Sequence, residues 1–375
     1  MLGNCFNCAK FANYLSLISS QKNHIKNCVQ QTTTRCLSLG IIGAPTAAGQ
    51  SRSPGVQLGP RVLRDARLIQ QIQQLGHDVR DYGDIGGDND VDHQLSTDDD
   101  NQSTTISSRL KNERQVQDFC GQLASMVLKV RSDDNRLPLI IGGDHSVAIG
   151  SITGNSGDGS GGDGDDLCVI WVDAHADINT ARTTTTGHFH GMPVSFLIRQ
   201  VGQQYGDPNA DCLVGRSLRP SIDAQNIAYI GLRDLEPCEL KILNDLGIRH
   251  FSMADIDRLG IYEVVARALA AVNPRLDRRI HCSFDVDSVD PSQAPSTGTP
   301  VAGGLTLREA QVIGEEIGRT GRLAGLDFVE LNPQIGSASD VRLTIDTSVS
   351  IILSFLGKSR LLTNRDQLSL SDYSK

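Results

Sequence analysis

The sequence contains two histidines and four aspartates whose types and spacing suit metal binding. They are His145, Asp173, His175, Asp177, Asp285 and Asp287. Five of the six fall into two groups, and neighbours within a group lie two residues apart. Side chains two residues apart in an extended chain point to the same side. The pattern therefore predicts that each group presents its polar side chains to one point.

Each part of this set follows an apolar segment that predicts a buried β-strand. The segments are residues 137–141, 167–172 and 279–284. Continuous apolar runs of this length are typical of parallel sheets, whose strands are buried on both faces. In open α/β sheets, binding sites form at the carboxyl ends of the strands. We therefore expect the polar side chains to meet at one edge of a parallel sheet.

The number and type of these residues predict which metal they bind. An ordinary zinc site uses three or four protein ligands, often His and Cys, and this set is larger and contains no cysteine. Two adjacent divalent ions could use all six residues, and four carboxylates would balance their charge. Oxygen ligands suit Mg²⁺ and Mn²⁺, and the imidazoles favour Mn²⁺. The predicted cofactor is two Mn²⁺ ions per subunit.

Three segments of the chain resemble the signatures of the ureohydrolases, the arginase and agmatinase family. They are residues 142–146 (GGDHS), 173–177 (DAHAD) and 283–291 (SFDVDSVDP). Residues 177–193 are similar to the arginase branch, and the resemblance extends from about Gly40 to about Gly357. It implies a three-layer α/β/α fold with a mostly parallel sheet of about eight strands. It also implies a homo-oligomer, specifically a homotrimer.

The resemblance further implies residues that contact the substrate, L-arginine. They are Asn179, Thr186, Glu236, Glu239 and Thr299. Asn179 and Thr186 would bind the amino-acid end of the substrate, and the two glutamates would hold its α-amino group directly or through water. Glu236 stands where the family usually has Asp. Both glutamates also fit an alternative role as acids at a helix N-terminus.

Catalytic roles are implied for Asp177, His190 and Glu330. A guanidinium is a poor electrophile because its charge is delocalised, and water is a poor nucleophile at neutral pH. Two metals that share a water would lower its pKa and supply a bridging hydroxide, which would attack the guanidinium carbon. Glu330 would receive the guanidinium, Asp177 would pass a proton to the departing amine, and His190 would carry protons to solvent. The products would be urea and L-ornithine.

Three alternative functions remain open at this point. An agmatinase would share the metal ligands but would lack contacts for an α-carboxylate. A metal-binding protein without catalysis would have lost a ligand or a proton shuttle, and none is missing here. A sugar- or nucleotide-binding module is disfavoured because there is no phosphate loop and only 4% of residues are aromatic.

Composition indicates which partners to expect. The net charge of -9 disfavours nucleic acid as a partner, because nucleic-acid binders carry basic surfaces. The chain has no apolar run of about eighteen residues, so no membrane span is expected. Several of the nine cysteines lie in apolar patterns, which suits a reducing compartment.

The sequence divides into a catalytic domain with an extension at each end. Residues 1–36 are basic, rich in hydroxyl residues and free of acids, which is typical of a mitochondrial transit peptide. The alternative is a disordered extension of a cytoplasmic protein. Residues 37–360 are the predicted ureohydrolase domain, and residues 361–375 are a polar tail. A mitochondrial matrix location is favoured over the cytoplasm.

Other patterns predict the elements around the site. We expect one helix from Pro60 to Gly76, a second helix over residues 116–130 and a final helix over residues 341–356. Residues 86–108 predict an acidic loop, and residues 154–164 a flexible Gly/Ser insertion. Thr306 and Glu309 match a helix capping box.

Overall fold

The computed structural model describes residues 36–50, 54–86, 110–157, 166–205, 218–358 and 360. From Leu37 onward these residues belong to one compact unit. The predictions for residues 1–35, for the tail from 361 onward and for most of the acidic loop lie outside the described residues, as does most of the Gly/Ser insertion. Within the described part of the chain, no helix is both long enough and apolar enough to cross a membrane.

The described residues form a single sheet of eight parallel strands. The strands are β1 (Ser38–Ala44), β2 (Asp78–Asp84), β3 (Leu137–Gly142), β4 (Leu167–Val172), β5 (Ile227–Leu232), β6 (Arg249–Ser252), β7 (Arg279–Asp285) and β8 (Leu323–Val329). Their order across the sheet is β2-β1-β3-β8-β7-β4-β5-β6, and every pairing is parallel. This confirms the predicted parallel sheet of about eight strands.

Helices cover both faces of the sheet. They are α1 (Gly59–Asp65), α2 (Leu68–Gln74), α3 (Glu113–Ser132), α4 (Ala148–Ser156), α5 (Pro193–Leu197), α6 (Arg199–Tyr205), α7 (Pro237–Asp245), α8 (Met253–Leu259), α9 (Ile261–Val272), α10 (Leu307–Arg319) and α11 (Ala338–Phe355). The core on one face includes side chains from α1, α2 and α8 to α11. The cores on the other face include side chains from α3 to α7. The fold is therefore the three-layer α/β/α arrangement that was expected.

Strand β4 shows why an uninterrupted apolar run builds this sheet. All six of its residues are buried. Cys168, Ile170 and Val172 pack into the core on one face. Val169 and Trp171 pack into the core on the opposite face. Because successive side chains alternate across a strand, a strand covered on both sides must be apolar at every position.

The structure corrects the prediction of one helix between Pro60 and Gly76. Two helices, α1 and α2, occupy this range, and Arg67 lies between them with φ 61° and ψ 33°. A residue with left-handed backbone cannot continue a right-handed helix, so the chain changes direction there. The apolar spacing is nearly uninterrupted across the break, which is why periodicity alone predicted a single helix.

The predicted Gly/Ser insertion begins too early, because residues 154–156 are the buried last turn of α4. At Gly154 a Cβ atom would lie 2.4 Å from the backbone oxygen of Ala124 in α3. Gly150, one turn earlier, would place a Cβ atom 2.5 Å from the Cys120 oxygen. These glycines therefore allow two helices to pack closely, a role that composition does not distinguish from a flexible loop.

The predicted start of α10 is confirmed. Thr306 accepts a hydrogen bond from the backbone N–H of Glu309, and the Glu309 carboxylate accepts one in return from Thr306. This is the expected capping box. The final helix, α11, begins with a second capping box made by Ser337 and Asp340.

Candidate metal centre

The candidate site lies at the carboxyl ends of four neighbouring strands. Strands β3, β8, β7 and β4 are adjacent in that order. His145 follows β3, Asp173 follows β4, Asp285 ends β7 and Glu330 follows β8. The predicted convergence at one edge of the sheet is therefore present.

The first cluster of side chains surrounds His145, which is fully buried. Its Nδ1 atom lies 3.1 Å from an oxygen of Asp173, 3.1 Å from an oxygen of Asp177 and 3.2 Å from an oxygen of Asp285. Three carboxylates thus face one imidazole nitrogen. His145, Asp173 and Asp285 together can hold one metal ion.

The second cluster surrounds His175. Its Nδ1 atom lies 3.1 Å from Oδ2 of Asp287 and 3.4 Å from Oδ1 of Asp173. Asp173 directs its other oxygen, Oδ2, at His145, so this carboxylate is shared between the two clusters. The structure thus brings together all six residues that were predicted as ligands, in two adjacent groups.

The donor atoms of the first cluster fit a metal ion. Nδ1 of His145 is buried and makes no hydrogen bond. Octahedral coordination with metal–ligand bonds of about 2.1 Å would place neighbouring ligand atoms about 3.0 Å apart. The observed separations of 3.1 to 3.2 Å around His145 match that edge. The carboxylates around His145 carry negative charge in a buried space, and a cation bound among them would balance that charge.

A hydrogen-bond chain beneath the cluster fixes the tautomer of His145. Nε2 of His145 lies 3.0 Å from Oγ of Ser283, and this hydroxyl donates to Oδ2 of Asp327 at 3.2 Å. Because the hydroxyl proton of Ser283 is directed to Asp327, its oxygen accepts the N–H of Nε2. Nδ1 then carries the lone pair that a metal ion requires.

Burial and repulsion between like charges shift the pKa values in the metal-free cluster. Burial, followed by the charge of Asp173, raises the pKa of Asp177 to about 6. Burial also opposes a proton on His145, but its contacts with Asp173, Asp177 and Asp285 outweigh this and raise its pKa well above the usual value. The carboxylates of the cluster therefore favour positive charge at its centre, which is the property that a cation-binding site requires.

Trp171 and Asp144 hold the side chains of the first cluster in place. The Trp171 ring stacks on His145 with ring centroids 4.1 Å apart, and its Nε1 donates to Asp173 at 2.9 Å. The Asp144 carboxylate accepts from the backbone N–H groups of Ser146 and Gly49. These contacts fix the turn that carries His145.

Two carboxylates at the site have unusual backbone geometry. Asp177 has φ 50° and Glu330 has φ 65°, which are left-handed values for non-glycine residues. Such conformations cost energy and persist where surrounding contacts hold them. Here the backbone oxygen of Asp177 accepts from Val194, and the backbone N–H of Glu330 donates to Gly143.

Glu330 lies directly beside the ligand clusters and is buried. Its carboxylate accepts the backbone N–H of His145 at 2.8 Å and Nε2 of Gln50 at 3.4 Å. Nδ1 of His190 lies 3.4 Å from the same carboxylate. Burial lowers the pKa of His190, but the hydrogen bond and charge of Glu330 outweigh it and raise the pKa to about 9.

The structure places the predicted substrate contacts Thr299, Asn179 and Thr186 in different surroundings. Thr299 donates to Oδ2 of Asp287 at 3.0 Å, so it lies against the second cluster. Asn179 is buried in the loop after Asp177. Thr186 lies further along that loop and is exposed, where its hydroxyl accepts from the His188 backbone at 3.3 Å.

Glu236 and Glu239 form the capping box of α7, the alternative role considered for them. Glu239 is buried, and its carboxylate accepts the backbone N–H of Glu236 at 3.0 Å and of Ile178 at 3.2 Å. It therefore joins α7 to the loop that carries Asp177. Burial raises the pKa of Glu239 to about 7, because its two backbone hydrogen bonds only partly offset the loss of solvent.

Several residues that support the site were not assigned from the sequence. They are Gln50, Asp144, Trp171, Asp234, Ser283 and Asp327. Trp171 and Ser283 lie two residues before Asp173 and Asp285, so the alternation of the strand could have indicated them. Gln50 reaches the site from the loop after β1 and Asp327 from β8, and neither has such a local signal.

Comparison with known proteins decides the family. The family model described as "Arginase family" matches residues 37–357. The chain belongs to the arginase family. The chain is 45% identical over 324 residues to arginase-1 of Bos taurus, which covers 86% of this chain and 94% of the relative. It is 42% identical to human arginase-2, mitochondrial, over 325 residues, which is 86% of each chain.

Solved structures of arginase-family members share this fold. The crystal structure of arginase from Bacillus subtilis superposes with a TM-score of 0.72 at 32% identity, covering 87% of this chain and all of that chain. The match extends over nearly all of the residues predicted as the catalytic domain. The three motifs identified in the sequence therefore belong to an arginase-family hydrolase.

Proposed function

We propose that this protein hydrolyses L-arginine to L-ornithine and urea at a site that binds two Mn²⁺ ions. The observation that carries the proposal is the position of Asp173. One of its oxygens faces the His145 cluster and the other faces the His175 cluster. A carboxylate shared in this way suits a pair of adjacent cations.

The ligands of the proposed metals follow from this geometry. His145, Asp173, Asp177 and Asp285 would hold one ion, and His175, Asp173 and Asp287 would contribute to the other. When bound, a pair of divalent ions would supply a water that is acidic enough to react at neutral pH. Carboxylate oxygens combined with imidazole nitrogens favour Mn²⁺ over Mg²⁺.

Glu330 is the proposed acceptor of the substrate guanidinium. It is buried, so its carboxylate interacts with a cation in surroundings of low dielectric constant. Hydrogen bonds from the His145 backbone and from Gln50 fix its orientation. A planar guanidinium pairs well with a carboxylate held in this way. Because Glu330 and His145 are in contact, the substrate carbon would lie beside the ligand clusters.

Asp177 and His190 are proposed to move protons. Asp177 lies inside the first cluster, so it is close enough to pass a proton to the departing amine. The side chain of His190 is 22% exposed, and its Nδ1 atom lies 3.4 Å from the carboxylate of Glu330. It can therefore exchange protons between the site and solvent.

The amino-acid end of the substrate is proposed to bind at Asn179, Thr186, Glu236 and Glu239, whereas Thr299 is proposed to contact the substrate near the pocket of Glu330. The amide of Asn179 and the hydroxyl of Thr186 can donate to the α-carboxylate, and the two glutamates can hold the α-amino group directly or through water. These contacts favour arginine over agmatine, which has no α-carboxylate. Glu239 already accepts two backbone hydrogen bonds, so Glu236 has more capacity to bind the amino group.

We further propose a homotrimer located in the mitochondrial matrix. The acid-free composition of residues 1–36 supports the location, and the alternative is the cytoplasm. Human arginase-2, mitochondrial, is among the relatives. Measuring the molar mass in solution and the location of a tagged full-length chain would test these two points.

Replacement of metal ligands tests the proposed function. His145→Ala and Asp287→Ala should each lower the Mn²⁺ content per subunit and abolish most urea release from L-arginine. Asp346→Ala is a matched control, because this exposed carboxylate pairs with Arg342 on the surface of α11. Near-normal turnover by either ligand variant would overturn the assignment.

A further inference from the structure

Cys238 lies at the edge of the site without a role in the proposed chemistry. It is the second residue of α7 and is partly exposed. Its Sγ atom lies 3.2 Å from Oδ1 of Asn179 and 3.6 Å from Oε2 of Glu236. Both neighbours are proposed substrate contacts. The thiol is therefore placed to influence how they are oriented.

The side-chain oxygen of Asn179 has a second donor, Thr183, which lies in the same loop as Asn179 and not in α7. Oγ1 of Thr183 lies 2.8 Å from Oδ1 of Asn179. The backbone N–H of Thr180 donates to the same hydroxyl at 2.8 Å, so the hydroxyl accepts from Thr180 and directs its own proton to Asn179. Asn179 is thus held between its own loop and the first turn of α7.

Two donors at Oδ1 determine which way the carboxamide faces. The amide nitrogen, Nδ2, is left with no hydrogen-bond partner among the described residues. An amide N–H₂ group can donate to a carboxylate, whereas the amide oxygen would repel it. The observed orientation is therefore the one that can bind the α-carboxylate of an amino acid.

The thiol must keep its proton to act in this way. Burial, followed by the negative charge of Glu236, raises the pKa of the Cys238 thiol. At neutral pH the group is then an S–H donor, which matches the acceptor oxygen of Asn179. A thiolate at the same place would instead repel that oxygen.

We propose that Cys238 is a positioning residue for substrate specificity: with Thr183, it fixes the Asn179 carboxamide so that Nδ2 faces the α-carboxylate of the substrate. This inference rests on the proposed function. According to this proposal, Cys238 affects how well ligands with a carboxylate bind. It does not affect the rate of the chemical step. The residue acts through Asn179 and does not touch the substrate.

The test compares Cys238→Ala with Cys238→Ser, which keeps a donor. Steady-state kinetics with L-arginine should show KM raised about three- to tenfold in Cys238→Ala, the value of one neutral hydrogen bond, and kcat within about twofold of wild type. Cys238→Ser should restore KM. Agmatine, used as a competing ligand without a carboxylate, should bind equally well to all three proteins.

Thr183→Val provides a second measurement at the other donor. It removes the hydroxyl at nearly constant shape and should also raise KM for L-arginine without changing the binding of agmatine. A thermal melt of each variant shows whether the fold is retained. Thr183 lies in the loop and Cys238 lies in α7, and both contact Asn179. A similar rise in KM in the two variants would therefore indicate that both substitutions act through Asn179.

Several results would overturn the inference while leaving the proposed function intact. They are an unchanged KM in Cys238→Ala, the same loss in Cys238→Ser, and equal weakening of arginine and agmatine binding. A fall in kcat alone would also contradict it. If wild-type protein released no urea from L-arginine, the proposed function would fail, and this inference would fail with it.

Discussion

Oγ of Ser283 lies 3.0 Å from Nε2 of His145, and the same hydroxyl donates to Asp327. The buried Asp327 carboxylate is thereby linked through a serine to a proposed metal ligand. Histidine ligands are commonly held by a hydrogen bond from the second ring nitrogen, which fixes the tautomer and strengthens the ligand. Ser283 and Asp327 should therefore strengthen metal binding by His145, which can be measured.

Ser283→Ala should weaken metal binding. Without the hydroxyl, the N–H of His145 loses its acceptor, and we expect Mn²⁺ affinity to fall about ten- to one-hundredfold. Ser151→Ala is the matched control, because Ser151 donates to the same Asp327 oxygen at 2.7 Å but does not contact His145. Titration of metal-free protein with Mn²⁺ measures both. Equal loss in the two variants would show that Asp327, and not the tautomer of His145, is responsible.

The contact between His190 and Glu330 predicts how the stability of the metal-free protein depends on pH. The pKa of His190 is raised from 6.5 to about 9, so the folded protein binds this proton more tightly than the unfolded chain. The stabilisation is fully present below about pH 6.5 and is lost as the pH rises through about 9, and it amounts to about 1–3 kcal/mol.

Thermal melts of chelated protein test this dependence. Wild type should exceed His190→Gln in melting temperature at pH 6, and the difference should shrink by pH 9.5. A difference that is constant over this range would mean that the imidazole proton does not contribute to stability. A difference that grows with pH would contradict the sign of the shift.

Glu239→Ala should destabilise the fold more than a cap substitution usually does. It would leave the backbone N–H groups of Ile178 and Glu236 without their acceptor, at a cost of about 1–3 kcal/mol for each one that stays buried. Glu309→Ala removes the equivalent carboxylate from the exposed capping box of α10 and should cost about 1 kcal/mol or less. Denaturant unfolding of the two variants compares them directly, and equal losses would contradict the role of Glu239 in joining α7 to the loop.

Two glycines in the paired helices α3 and α4 should respond oppositely to alanine. Gly154→Ala would force a Cβ atom against the Ala124 oxygen and should cost about 1–3 kcal/mol. At Gly121 no atom from the rest of the described structure, beyond its chain neighbours and the nearby backbone of its own helix, lies within 4 Å of the added Cβ, so Gly121→Ala should stabilise the helix by about 0.5–1 kcal/mol. The melting temperatures of the two variants measure the difference. Loss of stability in neither would mean that α3 and α4 can separate without cost.

The sequence was sufficient to predict the sheet and the convergence of the six proposed ligands, because both depend on local patterns. Strand β4 is apolar throughout, and its end carries Asp173, His175 and Asp177 at alternating positions. By contrast, β2 was not identified, since this edge strand is largely polar and its residues are half-buried or exposed. β2 is held in the sheet by backbone hydrogen bonds to β1, and such bonds do not require the apolar side chains by which a strand is recognised in a sequence.

The supporting contacts of the site were harder to predict because they join distant parts of the chain. Gln50 reaches Glu330 across 280 residues, and Asn179 meets Cys238 across 59 residues. The helix break at Arg67 depends on a backbone conformation that no residue type demanded. Such features are fixed by tertiary packing, which periodicity and composition do not encode.

The most direct test of the account is urea release from L-arginine by purified protein, measured after chelation, with and without added Mn²⁺, and with agmatine as a parallel substrate. The account predicts little activity after chelation, strong recovery when Mn²⁺ is added, and a clear preference for arginine. Preference for agmatine would contradict the proposed contacts to the amino-acid end of the substrate. No urea from either substrate in the presence of Mn²⁺ would contradict the proposed reaction itself.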